Sequence, residues 1–80
     1  MHYVYILKSK VDGSRYIGVT GDLKRRFMEH NSGNSEYSST KIPYDLQWYC
    51  SFVDEQAAFD FEQYLKSSSG YAFTKKHRLF

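Results

Sequence analysis

Two tyrosines, an arginine and a histidine stand at spacings that would let them share one site. Tyr5 and Tyr16 are eleven positions apart, Arg26 follows ten residues after Tyr16, and His30 comes four residues later. A phenol can accept or donate a proton, and a guanidinium offers a planar set of donors that matches an oxyanion. Arg26 and His30 lie one turn apart on a helix, so both can address one point in space. Glu62 adds a carboxylate.

The tyrosines must be positioned by two strands that a turn connects. Residues 2–8, His2 to Lys8, are β-branched and aromatic on both faces, which is typical of a well-covered central strand. Asp12-Gly13 follows and favours a tight hairpin turn. Residues 15–19 are therefore expected to return antiparallel to the first strand.

The length of the hairpin turn decides how far apart the two tyrosine rings lie. A two-residue turn would pair Ser9 with Tyr16 and Leu7 with Gly18, and Tyr5 would lie on that same face. The rings would then be four residues apart along the sheet, roughly 13 Å. A wider loop would draw them closer. In either register Gly18 carries no side chain, which leaves room for a ligand's backbone to approach.

The first helix is expected to start after Asp22, a good N-cap, and to run to about Asn31, where residues 32–35 stop it. Arg26 falls on the border of its buried face. Helical periodicity places Leu23, Phe27 and His30 on the apolar face and Lys24, Arg25 and Glu29 in water. A long polar loop then runs over residues 32–43 and ends at Pro43.

The second half of the chain predicts a strand and two helices. In residues 45–52, Leu46, Trp48, Cys50 and Phe52 alternate with more polar positions, as in a half-buried strand. Asp54 caps a helix through about Lys66, and residues 67–70 break it before a final turn or short helix from Tyr71 to Leu79. The apolar stripe of the second helix is Ala57, Ala58, Phe61, Tyr64 and Leu65, with Glu62 at its edge.

This order predicts an α+β fold, a three-stranded antiparallel sheet flanked by two or three helices. Eighty residues are expected to form one domain, residues 1–80, because so short a chain cannot support two cores. The single cysteine, Cys50, cannot form an internal disulfide and favours a reducing compartment. No leader pattern or membrane-length apolar run occurs, so a cytoplasmic location is expected.

The tyrosine motifs resemble those of the GIY-YIG nuclease superfamily, whose two short strands each carry one tyrosine and whose first helix carries an arginine. Tyr16-Ile17-Gly18 matches the second motif, and Tyr5 is retained in the first, although Tyr3 and Val4 replace the glycine and isoleucine. Three further segments resemble the small stand-alone bacterial branch, which is related to the N-terminal nuclease domain of the excision-repair incision enzyme. They are His30-Asn31-Ser32-Gly33, Ser39-Thr40 before Pro43, and Glu62-Gln63-Tyr64-Leu65-Lys66 ahead of Gly70.

The resemblance implies a metal-dependent endonuclease that hydrolyses phosphodiester bonds in branched, damaged or single-stranded DNA. It implies that Arg26 binds the phosphate, Tyr5 takes or relays the proton of the attacking water, and Tyr16 orients the water or the phosphate. His30 would be a supporting residue or a proton relay. Glu62 would hold the divalent metal, Mg²⁺ or Mn²⁺, because a hard cation prefers carboxylate oxygen, water and phosphate.

Tyrosine is an awkward base for this chemistry. With a pKa near 10, its deprotonation at pH 7 costs about 4 kcal/mol. Arg26, a metal-bound water, or Lys8 and Lys10 would have to lower that cost.

Each of these residues also has a purely structural interpretation. Tyr5 and Tyr16 could be ordinary cross-strand aromatics, and His30 could fill the core. Arg26 could extend along the helix border to water, and Glu62 could simply pair with Lys66 one turn later.

Charge is unevenly distributed although the net charge is only +2. Residues 1–42 carry seven Lys and Arg against four acids, residues 43–70 one against five, and residues 71–80 three against none. The two basic ends could form one positive face for a polyanion, or could be solvated surface charge. The expected DNA contacts are Lys8, Lys24, Arg25, Lys75, Lys76 and Arg78.

No helix carries residues spaced to read base edges, so recognition of DNA structure or backbone is expected. Two other functions stay open. The chain could be a nucleic-acid-binding module on the same fold that cuts little, or an assembly subunit that binds protein through its aromatic surface. A homodimer or another protein partner is compatible with the sequence.

Overall fold

The computed structural model describes residues 1–33 and 39–80 of the chain, so residues 34–38 of the expected polar loop lie outside the described residues. Its elements are β1 (His2–Ser9), β2 (Arg15–Thr20), α1 (Leu23–Asn31), a 3₁₀ turn (Ser39–Lys41), β3 (Tyr44–Phe52), α2 (Glu55–Leu65) and α3 (Ser68–Lys76). The expected α+β fold is confirmed, with an antiparallel three-stranded sheet and three helices among the described residues. None of the described helices is long and apolar enough to cross a membrane.

β1 is the central strand of the sheet, between β2 and β3. Val4 and Ile6 are fully buried on one face, and Tyr5 and Leu7 are fully or almost fully buried on the other. A strand covered on both faces needs an apolar residue at every position, which explains the unbroken apolar run. Burial of each such side chain contributes about 1.5–3 kcal/mol.

Helices cover the sheet on both sides. We call the side against α2 and α3 the α2–α3 face, and the side against α1 the α1 face. The α2–α3 face is built on Val4, Ile6, Ile17, Ala58 and Leu65, and the α1 face on Tyr5, Leu7 and Tyr44 packed against Leu23 and Phe27. The Tyr5 ring therefore lies under α1, and α2 packs on the opposite face.

The hairpin register differs from the prediction by two residues. Tyr5 pairs with Gly18, where a two-residue turn would have paired Gly18 with Leu7. The strands close earlier because Ser9 N donates to Ser14 O at 2.8 Å, which leaves a four-residue loop. A shift of two residues keeps every side chain on its face, so the prediction that both tyrosines share a face is confirmed. The wider loop draws their rings together.

β3 contains a bulge that the alternating pattern did not reveal. Ile6 pairs with Trp48 and Leu7 with Leu46, so Gln47 is the extra residue. Leu46 therefore packs on the α1 face while Trp48 packs on the α2–α3 face. The prediction that all four apolar residues of this strand share one face is wrong for Leu46, because a bulge inverts the alternation beyond it.

Two predicted N-caps are confirmed. Asp22 Oδ1 accepts a hydrogen bond from Arg25 N at 3.1 Å, and Asp54 Oδ2 accepts one from Ala57 N at 3.0 Å. Each carboxylate satisfies a donor that the first turn of a helix leaves open, which typically contributes about 1 kcal/mol. These caps fix where α1 and α2 begin.

α3 begins at Ser68, three residues before the predicted start. The prediction that residues 67–70 form a break is therefore wrong for residues 68–70, which lie in the helix. Ser67 is the N-cap, and its Oγ accepts a hydrogen bond from Gly70 N at 3.1 Å. Gly70 lies inside the helix. A Cβ there would collide with the Tyr64 carbonyl oxygen and would lie 2.5 Å from Leu65 Cα. This glycine therefore serves the close approach of α3 to α2 rather than helix termination.

Candidate active site

Tyr5 lies at the centre of the candidate site and owes its position to Gly18. The two residues are paired across β1 and β2, and a Cβ on Gly18 would lie 2.5 Å from Tyr5 Oη and 2.7 Å from its Cζ. The phenol thus crosses directly over the glycine. The space at Gly18 was expected to admit a ligand's backbone, but the Tyr5 ring fills it.

The second phenol and the imidazole of His30 lie against Tyr5. The rings of Tyr5 and Tyr16 are stacked with centroids 6.3 Å apart, and those of Tyr16 and His30 are 4.5 Å apart. His30 is fully buried, and its Nε2 lies 3.1 Å from Tyr5 Oη. His30 is thus both a core residue and a partner of the phenol, so its two interpretations do not exclude each other.

Asn31 secures the C-terminal end of α1 and was missed by sequence reasoning. Its Nδ2 donates to Tyr44 O at 3.1 Å, and its Oδ1 accepts from Tyr44 N at 2.6 Å. The amide thereby ties the last residue of α1 to the first residue of β3. Because His30 is the preceding residue, this clamp also fixes the imidazole. The signal was present in the segment His30-Asn31-Ser32-Gly33, where only the histidine was given a role.

Arg26 lies at the border of α1, as predicted, with its side chain 36% exposed. Its Nη1 donates to Glu29 Oε1 at 3.1 Å, and the guanidinium also forms hydrogen bonds with Tyr5 and Tyr16. The carboxylate of Glu29 and the oxygen of Tyr5 raise the pKa of Arg26 still further. The guanidinium is therefore always charged, and its side chain is partly exposed to solvent.

Burial controls the protonation states of Tyr5 and His30. Loss of water raises the pKa of Tyr5 to about 12, although the hydrogen bond from Arg26 acts to lower it. Loss of water, with the nearby charge of Arg26, lowers the pKa of His30 below its ordinary value. At neutral pH the phenol therefore keeps its proton and the imidazole is uncharged.

The expected depression of the Tyr5 pKa is thus wrong in sign, because desolvation outweighs the guanidinium. The two lysines that were expected to help act elsewhere. Lys8 Nζ lies 5.7 Å from the centroid of the Phe80 ring, and Lys10 Nζ forms an ion pair with Asp45 at 3.4 Å.

Glu62 approaches from α2 on the other face of the sheet. It is buried between Ala58 and Leu65, and its side chain is 12% exposed. The expected ion pair with Lys66 is present, at 3.1 Å from Nζ to Oε2. The carboxylate is nevertheless near enough to Tyr5 for its charge to raise the pKa of the phenol. The structural and catalytic interpretations of Glu62 are therefore both compatible with its position.

The fit of a divalent cation depends on Glu62 alone. Among residues 1–33 and 39–80, no group of three His, Cys, Asp or Glu side chains forms a metal cluster. The Glu62 oxygens are held by Lys66 and by Gln63 Nε2, at 3.2 Å from Oε1, and both partners are exposed, Gln63 in α2 and Lys66 at its C-cap. A hard carboxylate with displaceable partners fits Mg²⁺ or Mn²⁺, provided that water and phosphate complete the coordination.

A groove of about 410 Å³ opens beside Arg26. Its walls are formed by the β2–α1 connection, Thr20 to Asp22, and by Arg25, Arg26 and Glu29 of α1. Glu29 forms ion pairs with both arginines at 3.1 Å, and these pairs hold the guanidinium of Arg26 in place. An oxyanion that enters the groove would therefore meet an oriented guanidinium.

The basic residues do not form one positive face. Lys24 and Arg25 lie on α1, whereas Lys75 and Lys76 lie on α3, across the sheet. Lys8 points to the α2–α3 face, where it lies near Phe80, and Arg78 follows the end of α3. Lys24 and Arg25 are thus separated by the sheet from Lys75 and Lys76, because the helices that carry them pack on opposite faces, whereas Lys8 lies on the same face as the C-terminal residues.

Arg15 is a cation that sequence reasoning left without a role. Its Nη1 donates to Thr74 Oγ1 at 3.1 Å, and its guanidinium lies over the rings of Tyr71, at 4.7 Å, and Phe80, at 5.5 Å. It therefore ties β2 to α3 beside Tyr16. Its position directly before the second tyrosine motif was the available signal.

Comparison with known proteins gives consistent results. The family model described as the GIY-YIG catalytic domain matches residues 1–76. A UPF0213 protein from Bacillus pumilus is 39% identical over 67 residues, which is 82% of this chain and 67% of the relative. A UPF0213 protein from Streptococcus pneumoniae serotype 4 is 38% identical over 65 residues, 80% of this chain and 65% of the relative.

A solved structure extends the likeness to the fold. The solution NMR structure of a UPF0213 protein from Bacillus halodurans has 37% sequence identity and a TM-score of 0.54, covering 98% of this chain and 80% of that chain. The present chain spans about two thirds of the length of the Bacillus pumilus and Streptococcus pneumoniae relatives.

Proposed function

The chain belongs to the family of the GIY-YIG catalytic domain, and we propose that it is a metal-dependent endonuclease that hydrolyses phosphodiester bonds in DNA. The observation that carries the proposal is the cluster on the α1 face. Four residues from two strands and a helix, Tyr5, Tyr16, Arg26 and His30, lie close together there. Tyr5 Oη is 3.1 Å from His30 Nε2, the centroids of the Tyr16 and His30 rings are 4.5 Å apart, and the Arg26 guanidinium interacts with both phenols. A cross-strand aromatic pair alone would not need a buried histidine and an oriented guanidinium.

Arg26 binds the phosphate in this proposal. Its guanidinium reaches solvent through the groove and is held by Glu29, so the fork is oriented before a substrate arrives. A bidentate contact to two phosphate oxygens uses the planar geometry that lysine lacks. Tyr16, hydrogen-bonded to Arg26, orients the same phosphate or the attacking water.

Tyr5 and His30 together accept the proton of the water. A free tyrosinate at pH 7 would cost about 7 kcal/mol with a pKa near 12, a barrier too large for an efficient base. The 3.1 Å contact between Tyr5 Oη and His30 Nε2 offers another route. The water gives its proton to Oη while the phenol proton moves to Nε2. The products of this proton transfer are a neutral phenol and an imidazolium, so no tyrosinate accumulates. The resulting hydroxide attacks the phosphorus as the bond to the leaving oxygen breaks, and the imidazolium proton returns through the phenol to solvent or to the departed oxygen after cleavage.

Glu62 is the residue that would hold the divalent cation. Bound there, the cation would neutralise charge that develops on the phosphate and on the leaving oxygen. To bind the cation, Glu62 must exchange its contact with Lys66. Since one carboxylate is the protein's whole contribution among the described residues, the affinity for the cation is expected to be low until DNA supplies phosphate oxygens. Recognition through backbone and DNA structure is part of the proposal, because no described helix carries Asn, Gln or Arg side chains at the spacing of a recognition helix.

The test is cleavage of nicked, branched and single-stranded DNA with Mg²⁺ or Mn²⁺ and with a chelator. Glu62→Gln keeps the shape of the side chain and removes its charge, so cutting should be lost. Asp60→Asn is the matched control, because it removes an acid from the exposed side of the same helix. Cutting that persists in Glu62→Gln at the rate of Asp60→Asn would refute the assignment of the metal to Glu62.

One observation favours a second candidate, a module that binds DNA without cutting it. Glu62 is paired with Lys66, and a carboxylate that kept this partner would not take up a cation. DNA binding by the unmodified chain, by Glu62→Gln and by Lys66→Ala, with no cutting under any metal condition, would establish the binding module. Cutting that Lys66→Ala preserves and Glu62→Gln abolishes would exclude it.

A further inference from the structure

α1 covers only part of its face of the sheet and leaves an aromatic groove beside the candidate site. This groove has a volume of about 510 Å³ and lies between the start of α1 and the strands β1 and β3. Tyr3 and Tyr49 line it with ring centroids 6.2 Å apart, and Tyr49 is 52% exposed. Lys24 stands at its rim. We call it the aromatic groove.

We propose that the aromatic groove binds an unpaired DNA base that neighbours the phosphate to be cut. The proposal rests on the proposed function for the identity of that phosphate, and it names the class of substrate, DNA with single-stranded nucleotides at the cleavage position. It commits to a base because an exposed tyrosine ring, paired with a partly buried one and next to a lysine, matches the chemistry of single-stranded nucleic acid.

The aromatic groove adjoins the groove of Arg26. Gly21 and Asp22 line both, so only the β2–α1 connection separates them. Tyr3 precedes Tyr5 by two residues on β1, a distance of about 7 Å along a strand. Successive nucleotides in a stacked strand are about 3.4 Å apart. The step between the two strand positions is therefore about that of two stacked nucleotides. Because the two grooves share walls, a strand whose phosphate lies at Arg26 can place a neighbouring base on the tyrosine rings.

Gly21 leaves the passage between the two grooves open. A Cβ on Gly21 would meet no atom within 4 Å, and its backbone does not adopt the left-handed conformation that favours glycine. The fold itself therefore does not require glycine here. A side chain at this position would instead project into the route of a strand that crosses from Arg26 to the aromatic groove.

The charges around the aromatic groove suit a nucleic acid strand. Lys24 is exposed, and the carboxylate of Asp22 is engaged in capping α1 through Arg25 N at 3.1 Å. A base stacked on tyrosine must leave its own helical stack, since a paired base has both faces covered. The aromatic groove thus selects unpaired DNA without reading base edges, which is consistent with stacking that tolerates any base.

The test measures binding in chelator, so cutting plays no part in the result. The probes are a short fluorescent single-stranded DNA oligonucleotide and one of equal length with abasic sites at its centre. We expect Tyr49→Ala to weaken binding of the first probe about 5-fold to 100-fold, the loss of one base-stacking contact. The same substitution should change the affinity for the abasic probe little, because the base that would stack on the ring is already missing. Phe59→Ala, which removes an exposed ring from α2, is the matched control and should bind both probes as the unmodified protein does.

Gly21→Leu supplies a second, independent variant. It should keep the melting temperature of the unmodified protein and weaken binding of the single-stranded probe. The proposal would be overturned if Tyr49→Ala lost affinity for both probes equally, or lost affinity for neither. Tighter binding of an RNA oligonucleotide of the same sequence would overturn DNA as the occupant.

The outcomes separate this inference from the proposed function. If the chain stacks the base but cuts nothing in Mg²⁺, the proposal for the aromatic groove stands and the proposed nuclease activity is refuted. If the chain cuts DNA but its Tyr49→Ala and Gly21→Leu variants bind the oligonucleotide as tightly as the unmodified protein, the proposed nuclease activity stands. The proposal for the aromatic groove is then refuted.

Discussion

Removal of the Tyr5 hydroxyl separates its structural role from its proposed chemical one. Tyr5→Phe keeps the ring that packs over Gly18 and under α1, so it creates no cavity of the kind that costs about 3–5 kcal/mol when a buried aromatic becomes alanine. The hydrogen bonds to His30 and Arg26 are lost. Each is worth about 0.5–1.5 kcal/mol net, and relief from burying a hydroxyl offsets part of the loss.

We therefore expect Tyr5→Phe to fold, with the free energy of unfolding lowered by about 1–2 kcal/mol. For a chain of this size that is a fall in Tm of about 5–15 °C. The cleavage rate should fall far more, about 10²-fold to 10⁴-fold, because the route from water to His30 Nε2 passes through the missing oxygen.

The assay is single-turnover cleavage at saturating protein, beside thermal and urea unfolding of the same preparations. Tyr64→Phe is the control, since it removes a hydroxyl from a half-exposed ring of α2 outside the site. Cleavage by Tyr5→Phe at the rate of Tyr64→Phe would refute the relay. Failure of Tyr5→Phe to fold would refute the packing estimate.

Three further outcomes are expected. Arg26→Ala should lose about 10²–10³ in rate, the loss typical of a removed transition-state donor, and Arg26→Lys should not restore it because lysine lacks the planar fork; full turnover by either would remove Arg26 from the site. Gly70→Ala should lower the free energy of unfolding by about 1–3 kcal/mol, because its Cβ would collide with α2. Gly21→Ala is the control, because its Cβ would meet open space, and urea unfolding should show an unchanged free energy. Because the pKa of His30 lies below its ordinary 6.5 in the folded chain, the unfolded chain takes up this proton first on acidification. The contribution of His30 to the free energy of unfolding should be full above about pH 6.5 and should fall as the pH drops toward the pKa of the folded state. Urea unfolding at a series of pH values should show this decrease. It should be weakened in His30→Phe and kept in His77→Gln, a change at an exposed histidine.

Local patterns were sufficient for the elements and for the order of the strands. β1 had to be central because an apolar residue stands at nearly every position, and Asp22 and Asp54 had to cap because their carboxylates precede helical stripes. These features depend on neighbours in sequence. The start of α3 was misplaced because Gly70 serves a contact with α2, which no local rule shows.

The residues of the candidate site could be chosen from the sequence, but their mutual arrangement could not. Spacing and residue type selected Tyr5, Tyr16, Arg26 and His30, and the structure brings their side chains together. The four-residue hairpin loop decided the ring spacing, and the packing of α1 and α3 on opposite faces separated Lys24 and Arg25 from Lys75 and Lys76. Burial raised the pKa of Tyr5, which its charged neighbours were expected to lower. All three depend on contacts between residues distant in the chain. Residue types set what chemistry the side chains can perform, and tertiary packing set the distances and the loss of water that determine their protonation.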